Sequence, residues 1–144
     1  MAFSETVQLI SSTTSTSSSA SAADGTAFSQ AGQYRRGTFV LVTSGGTGSG
    51  SFTLDVAIQG YIAGSWTDVG RFAQVTTSGV TRVLWDVCGT VSSSSTIEEA
   101  SQDLAITVST KRAGPWGSQI RATYTLTITG TYSITWYVSG VLQS

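Results

Sequence analysis

The sequence predicts an all-β fold: a single antiparallel β-sandwich or jelly roll of about eight strands, preceded by an extended N-terminal arm. Three observations predict it. First, apolar and polar residues alternate with a period of two. Ile120, Ala122, Tyr124, Leu126 and Ile128 fall on one side of a stretch whose other side is Arg121, Thr123, Thr125 and Thr127. Such alternation sends successive side chains to opposite faces of a sheet, and threonine, β-branched and polar, suits the solvated face. Second, breaks rich in glycine and serine cut the chain into short runs, none with a convincing helical period. Third, 144 residues fit one domain. A domain of that length buries roughly 70% of the surface its unfolded chain exposes, enough for a core without staples.

Taken in order, residues 1–33 form the arm. A short apolar alternation at Val7 and Leu9 is followed by the Ser/Thr/Ala tract from Ser11 to Ala23, which alone lacks the apolar side chains to offset its ordering. Fixing those 13 residues costs about 13 to 26 kcal/mol of backbone entropy. An apolar burial of about 500 to 1,000 Å² would offset that, less whatever ladder hydrogen bonds contribute. A strand added to the chain's own sheet, or to a neighbour's, is the natural supplier.

The sandwich domain spans 34–144. Gly37 to Thr43 is nearly continuously apolar and reads as a central strand, and GGTGSG at Gly45 to Gly50 reads as a mobile turn without the lysine of a phosphate loop. Phe52, Leu54, Val56 and Ile58 then alternate with Ser51, Thr53, Asp55 and Ala57. Tyr61 to Gly64 reads as a hairpin connection into Trp66 to Phe72. A turn at Thr77 to Gly79 leads into Val80 to Cys88, where Val83, Trp85 and Val87 are expected to share a face. The polar tract Val91 to Gln102 reads as a long loop or a single helical turn, and Leu104, Ile106 and Val108 as a strand. A loop from Lys111 to Gly117 holds the only proline, Pro115. The last strand sets Tyr132, Ile134, Trp136 and Val138 against Ser133, Thr135, Tyr137 and Ser139.

Composition narrows the function classes. Only 10% of residues are charged, the net charge is −1, and lysine and arginine total 7. Nucleic-acid binding by phosphate neutralisation wants a clustered basic stripe, so no nucleic-acid partner is expected. The doublets Arg35-Arg36 and Lys111-Arg112 read as solvated turns or interface contacts. No apolar run approaches the roughly 20 residues of a membrane-spanning helix, and MAFSETVQLISS has no basic region followed by an apolar block. The single Cys88 excludes an intramolecular disulfide and reads as a buried small hydrophobe. Synthesis in a reducing cytoplasm, with no membrane partner, is the expectation. Serine and threonine make about a third of the chain. Low charge with abundant hydroxyls suits a protein that lives packed against neighbours, since a soluble monomer ordinarily disperses itself with more charge.

The chain has no histidine. That removes Ser-His and Cys-His nucleophile pairs, the commonest general base and a favoured metal ligand. Asp55 and Asp68 lie on runs that pair as a hairpin, and glycoside hydrolysis needs two carboxyls about 5 to 10 Å apart. Both nevertheless occupy polar positions of exposed faces, where an aspartate is ordinarily solvated. Glu98, Glu99 and Asp103 lack the Asp-x-Asp-x-Asp-Gly spacing of a calcium loop. The expectation is therefore a non-enzyme with no cofactor and no metal. Trp85, Trp136, Tyr124 and Phe52 follow apolar stripes and read as core. Trp66, Trp116, Tyr61 and Tyr137 sit in turns or on polar faces, where rings stack on sugars or anchor a protein partner; low charge favours the protein.

The segment SFTLDVAIQGYIAGSWTDVGRF (Ser51 to Phe72), the turn Thr77-Ser78-Gly79 and the closing IRATYTLTITGTYSITWYVSGVL (Ile120 to Leu142) resemble small β-sandwich virion proteins of tailed bacteriophages, several of them head-decoration or capsid-cement proteins. The shared pattern is an alternating strand ending near Gln59, a glycine-containing hairpin, a Trp-Thr-Asp strand and a closing threonine-rich strand pair. The resemblance implies a structural protein on the outer surface of the capsid, with no catalytic residues to carry over. It implies the major capsid protein as partner, and a homo-oligomer, a trimer being favoured. The assembly-contact candidates are Phe3, Val7, Leu9 and the tract to Ala23, Arg35 and Arg36 at the arm's base, and the aromatics Trp66, Trp116 and Tyr137. For Val7 and Leu9 the alternative is an edge strand of the same sandwich. For the whole chain the alternatives are a tail or fibre component of the virion, or a carbohydrate-binding module using Trp66, Trp116 or Tyr137.

Overall fold

Strand pairing runs straight through the glycines that were expected to break it. The computed structural model describes residues 4–21, 27–88, 96–97, 110–112 and 116–144. Its strands are β1 (Ser4–Ser15), β2 (Ser19–Ser21), β3 (Arg36–Ile62), β4 (Ser65–Arg71), β5 (Thr81–Val87), β6 (Thr96–Ile97), β7 (Thr110–Arg112) and β8 (Ile120–Gln143), with one 3-10 turn at Ala31–Gln33. The fold is all-β, as the alternation predicts. It is one curled, hydrogen-bonded sheet, antiparallel except between β6 and β7.

The glycine-rich GGTGSG is not a turn. It lies inside β3, which pairs with β8 from Arg36 opposite Gln143 to Gly60 opposite Ile120, with one register shift between Ser44 and Thr47. The last two expected strands are likewise one, β8, running through Thr129 to Thr131. Glycine makes this possible because the ladder bends there. Gly48 has φ 120° and a Cβ on it would lie 2.2 Å from the Thr131 carbonyl oxygen; Gly130 has φ 79°. A side chain at either position would break the bend.

The bend folds the sheet over its own inner face. Tyr124 and Trp136, both on β8 but on opposite sides of the bend, meet edge to face with centroids 4.7 Å apart. Phe52 stacks on Tyr132 at the corner. Each half repeats one arrangement around the β3–β8 ribbon. In the first half the order is β1–β8–β3–β5; in the second, β2 and β4 take the flanking places, and β7 and β6 follow β4. Phe39, Leu41, Ile134, Trp136 and Val138 from the first half close onto Leu54, Val56, Ile58, Ile120 and Leu126 from the second, in one core cluster.

The N-terminal tract supplies its own offset by joining this sheet. β1 pairs with the C-terminal half of β8, and β2 pairs with its N-terminal half at Tyr124 to Leu126. Between them the Ser18 hydroxyl both donates to the Ile128 carbonyl and accepts from the Ile128 N–H, standing in for a backbone pair at the corner. Register shifts after Gln8 and Ile10 leave Leu9 without a ladder partner. Such bulges turn successive side chains the same way, and Leu9 and Ile10 are both buried, together with Val7. Residues 4–15 are therefore an edge strand of the domain and not an outward arm, the intramolecular alternative for Val7 and Leu9.

The β3–β4 hairpin forms where the glycine break predicts it, with Ile62 opposite Ser65. The two loop residues, Ala63 and Gly64, have φ 51° and 84°, the type I′ geometry that matches strand twist. Alanine is strained there. Ala63→Asn is expected to raise stability by about 0.5 to 1 kcal/mol, read as a higher urea midpoint with an unchanged slope. In β5 the expected shared face is overturned. A register shift against β3 places Leu84 opposite Phe39 and buries Leu84 and Val87, while Val83 pairs with Val40 on the outside. Phe3, Glu98, Glu99, Asp103, Pro115 and the run Leu104 to Val108 lie outside the described residues, as do the side chain of Trp85 and most of the tract Val91 to Gln102.

Candidate interaction surfaces

The outer face of the sheet carries two different chemistries. On the first half, Val40 and Val42 of β3 alternate outward from the buried Phe39, Leu41 and Thr43. Val40 lies between Ser139 and Val83, and Val42 lies between Tyr137 and Thr81. Val141, opposite Thr38, extends the patch by one row. Val83 and Val141 are 36% and 41% exposed, the large hydrophobic side chains most open to solvent among the described residues. None of these residues is charged.

On the second half, three adjacent strands build a polar and aromatic cluster. Gln59 of β3 sits opposite Asp68 of β4 on one side and Arg121 of β8 on the other, and Tyr61 sits opposite Trp66 one row along. Arg121 donates through Nε to Gln59 Oε1 at 2.9 Å, and Gln59 donates through Nε2 to Asp68 Oδ1 at 2.8 Å. The Arg121 guanidinium carbon lies 4.1 Å from the Trp66 ring centroid, and Tyr61 tilts against the same ring at 5.2 Å. Burial lowers the Arg121 guanidinium from its ordinary value. Further along this face Arg71 approaches Asp55 at 3.8 Å, and Asp55 accepts from Gln74 at 2.8 Å.

Asp68 and Asp55 each accept from a glutamine side chain, Gln59 and Gln74 respectively. Asp68 is buried, a correction to its expected exposure, and each carboxylate is held by its own partner on a different row. Trp116, expected as an exposed anchor, is a core residue only 1% exposed. Its Nε1 donates to the Ala31 carbonyl at 2.9 Å and its ring meets Phe39 edge-on. The signal was weak: the residue sits in a loop between glycines, and only the 3-10 turn packing over it closes the core. Val7 and Leu9 face inward. Arg35 and Arg36 are exposed at the start of β3, beside the end of β8, where the Arg35 N–H donates to the Gln143 carbonyl. Trp66 and Tyr137 are half-buried and lie on the two different outer faces. Nothing local to Arg121 or Gln59 in the sequence marks them as one site. A lone arginine on an otherwise threonine face was the available sign.

Two hollows lie among the described residues. One, of about 390 Å³, is lined by Ser4, Glu5, Gln33 and Tyr34. There the Tyr34 hydroxyl donates to the Glu5 carboxylate, a hydrogen bond that holds the phenol above its ordinary pKa, with burial acting in the same direction. The other, of about 330 Å³, lies at the corner among Thr16, Thr47, Gly48, Thr131, Tyr132 and Ser133. Among the described residues no three His, Cys, Asp or Glu side chains gather as a metal site, and no helix is long and apolar enough to cross a membrane. Cys88 is buried and in no disulfide. Compared with known proteins, the chain matches no family model, no curated sequence and no solved structure.

Proposed function

We propose that this chain is a structural protein of a tailed-bacteriophage virion, a capsid-decoration protein that binds the outside of the head and bridges major capsid subunits. The observation that carries the reading is the open, uncharged sheet face of Val40, Val42, Val83, Val141 and Tyr137. Burying such a face strands no charge away from water, so apolar area converts to attachment with little desolvation cost. Contacts to several neighbours held at once then reinforce one another through effective concentration, as a homo-oligomer would exploit. The hydroxyl-rich surface and low charge agree with this, as does the sequence resemblance. Attachment is assigned to the sheet face because residues 4–15 are committed to the chain's own core. The finer architecture is read as a jelly-roll-like sandwich, supported by the Tyr124–Trp136 contact between the inner faces of the two halves. A carbohydrate-binding module is the weaker reading, since Trp116 is buried and Trp66 is stacked by Arg121 and flanked by Tyr61.

The test mixes the purified full chain with heads of the parent phage that lack it, and separately with tails. Saturable binding to heads is expected. The double variant V83D/V141D is expected to weaken it at least a hundredfold while leaving the melting temperature nearly unchanged, since burial of one aliphatic side chain is worth about 1.5 to 3 kcal/mol. Binding to tails alone would make it a tail component. Binding to neither, or indifference to the double substitution, would refute the assignment.

A further inference from the structure

We propose that Arg121 is a preorganised anchor for a carboxylate of the partner protein, an aspartate or glutamate side chain that seats beside Trp66 and Tyr61. This rests on the proposed function for the identity of the partner and adds a charged contact, on the second half of the sheet, to the apolar one made by the valine face.

Among the described residues, Arg71 and Arg121 lie on the outer face of the second half of the sheet, and the fold treats them differently. Arg71 meets Asp55 directly. Arg121 is separated from the nearest carboxylate in its own network by Gln59, whose amide accepts from Arg121 and donates to Asp68. Gln59 therefore engages Nε alone. Among the described residues the two terminal nitrogens of Arg121 have no hydrogen-bond partner, so the two-pronged edge of the guanidinium stays unused. That edge matches a carboxylate, which accepts two parallel N–H bonds in one plane.

The plane is already set. Trp66 supports the guanidinium at stacking distance and Gln59 pins its Nε, while cross-strand register fixes both supports relative to β8. A side chain held this way loses little freedom on binding, which favours affinity. Tryptophan, tyrosine and arginine are also the residue types that dominate interface energetics when clustered. Half-burial of an arginine without a direct counter-ion works against its charged form, and a partner carboxylate would relieve that. A sugar is the poorer occupant because the Trp66 face that would receive it carries Arg121.

Two measurements test this. In the first, wild type, R121Q and R121K are compared for binding to heads that lack the chain. R121Q is expected to bind 10- to 100-fold more weakly, with a shallower salt dependence. R121K, which keeps the charge without the planar fork, is expected to lose at least fivefold. If wild type binds and R121Q binds as tightly, the anchor is refuted while the decoration reading stands. In the second, the Arg121 side-chain Nε–Hε resonance is followed by NMR while a glutamate-rich peptide, or inorganic phosphate, is added to the full chain. A saturable shift with the peptide that exceeds the shift with phosphate supports the anchor even if heads are not the partner. No shift, or an equal response to phosphate, overturns it as a carboxylate site.

Discussion

Removing residues 1–21 is expected to unfold the domain, not merely to detach it from a partner. β1 contributes Val7, Leu9 and Ile10 to the core, each 6% exposed or less. At about 1.5 to 3 kcal/mol for each fully buried aliphatic side chain, their loss removes roughly 5 to 9 kcal/mol as an upper bound, against a typical total stability of 5 to 15 kcal/mol. The truncation also uncovers the whole outer edge of β8, leaving a long row of unpaired backbone groups that invites pairing with other chains. The expected result is loss of a cooperative urea transition and growth of aggregates on size-exclusion chromatography. A truncated chain that melts cooperatively, within about 1 kcal/mol of the full chain, would show that β1 is dispensable. The single substitution Leu9→Ala reports the same physics more gently. It should cost about 2 to 5 kcal/mol, because a bulge residue pointed inward leaves a cavity that the edge strand alone can close.

Trp116→Ala is expected to be nearly as damaging, at about 3 to 5 kcal/mol, and for a reason unrelated to partner binding. The indole fills the space between Phe39 and the 3-10 turn and ties that turn down through the Ala31 carbonyl. Trp116→Phe separates the two contributions. It keeps most of the ring, and the Ala31 carbonyl still accepts from the Tyr34 N–H, so the lost hydrogen bond should cost only about 1 kcal/mol. At temperatures well below its melting point, Trp116→Phe should bind phage heads as wild type does. A selective loss of binding in a variant of wild-type stability would return Trp116 to the list of assembly contacts.

Both results bear on how much of this protein is readable without coordinates. The strand Ile120 to Ile128 was legible because one face is apolar and the other threonine, and the β3–β4 hairpin because a glycine-containing break, Tyr61 to Gly64, interrupts two patterned runs; that its loop is only Ala63-Gly64 is set by the pairing of Ile62 with Ser65. The GGTGSG segment misled because glycine supplies positive φ equally to a turn and to a bent strand. Trp116 misled because loop residues are ordinarily exposed, whereas this one is roofed by a turn 85 positions away in the chain. The Arg121 cluster was invisible for a related reason. Its members are unremarkable singly, and they become neighbours only through the register of β3 with β4 and β8.

Local chemistry alone determined that this chain is a β protein poor in charge, without histidine, with alternating faces of which one is rich in hydroxyls; those properties reside in residue type and two-residue spacing. Tertiary structure alone decided that two strands run unbroken through their glycines, that the leading segment closes the core, and that valines and an arginine fork face outward. Those outcomes depend on hydrogen-bond register between segments up to about 140 residues apart, and one residue of slip would exchange every inner side chain for an outer one.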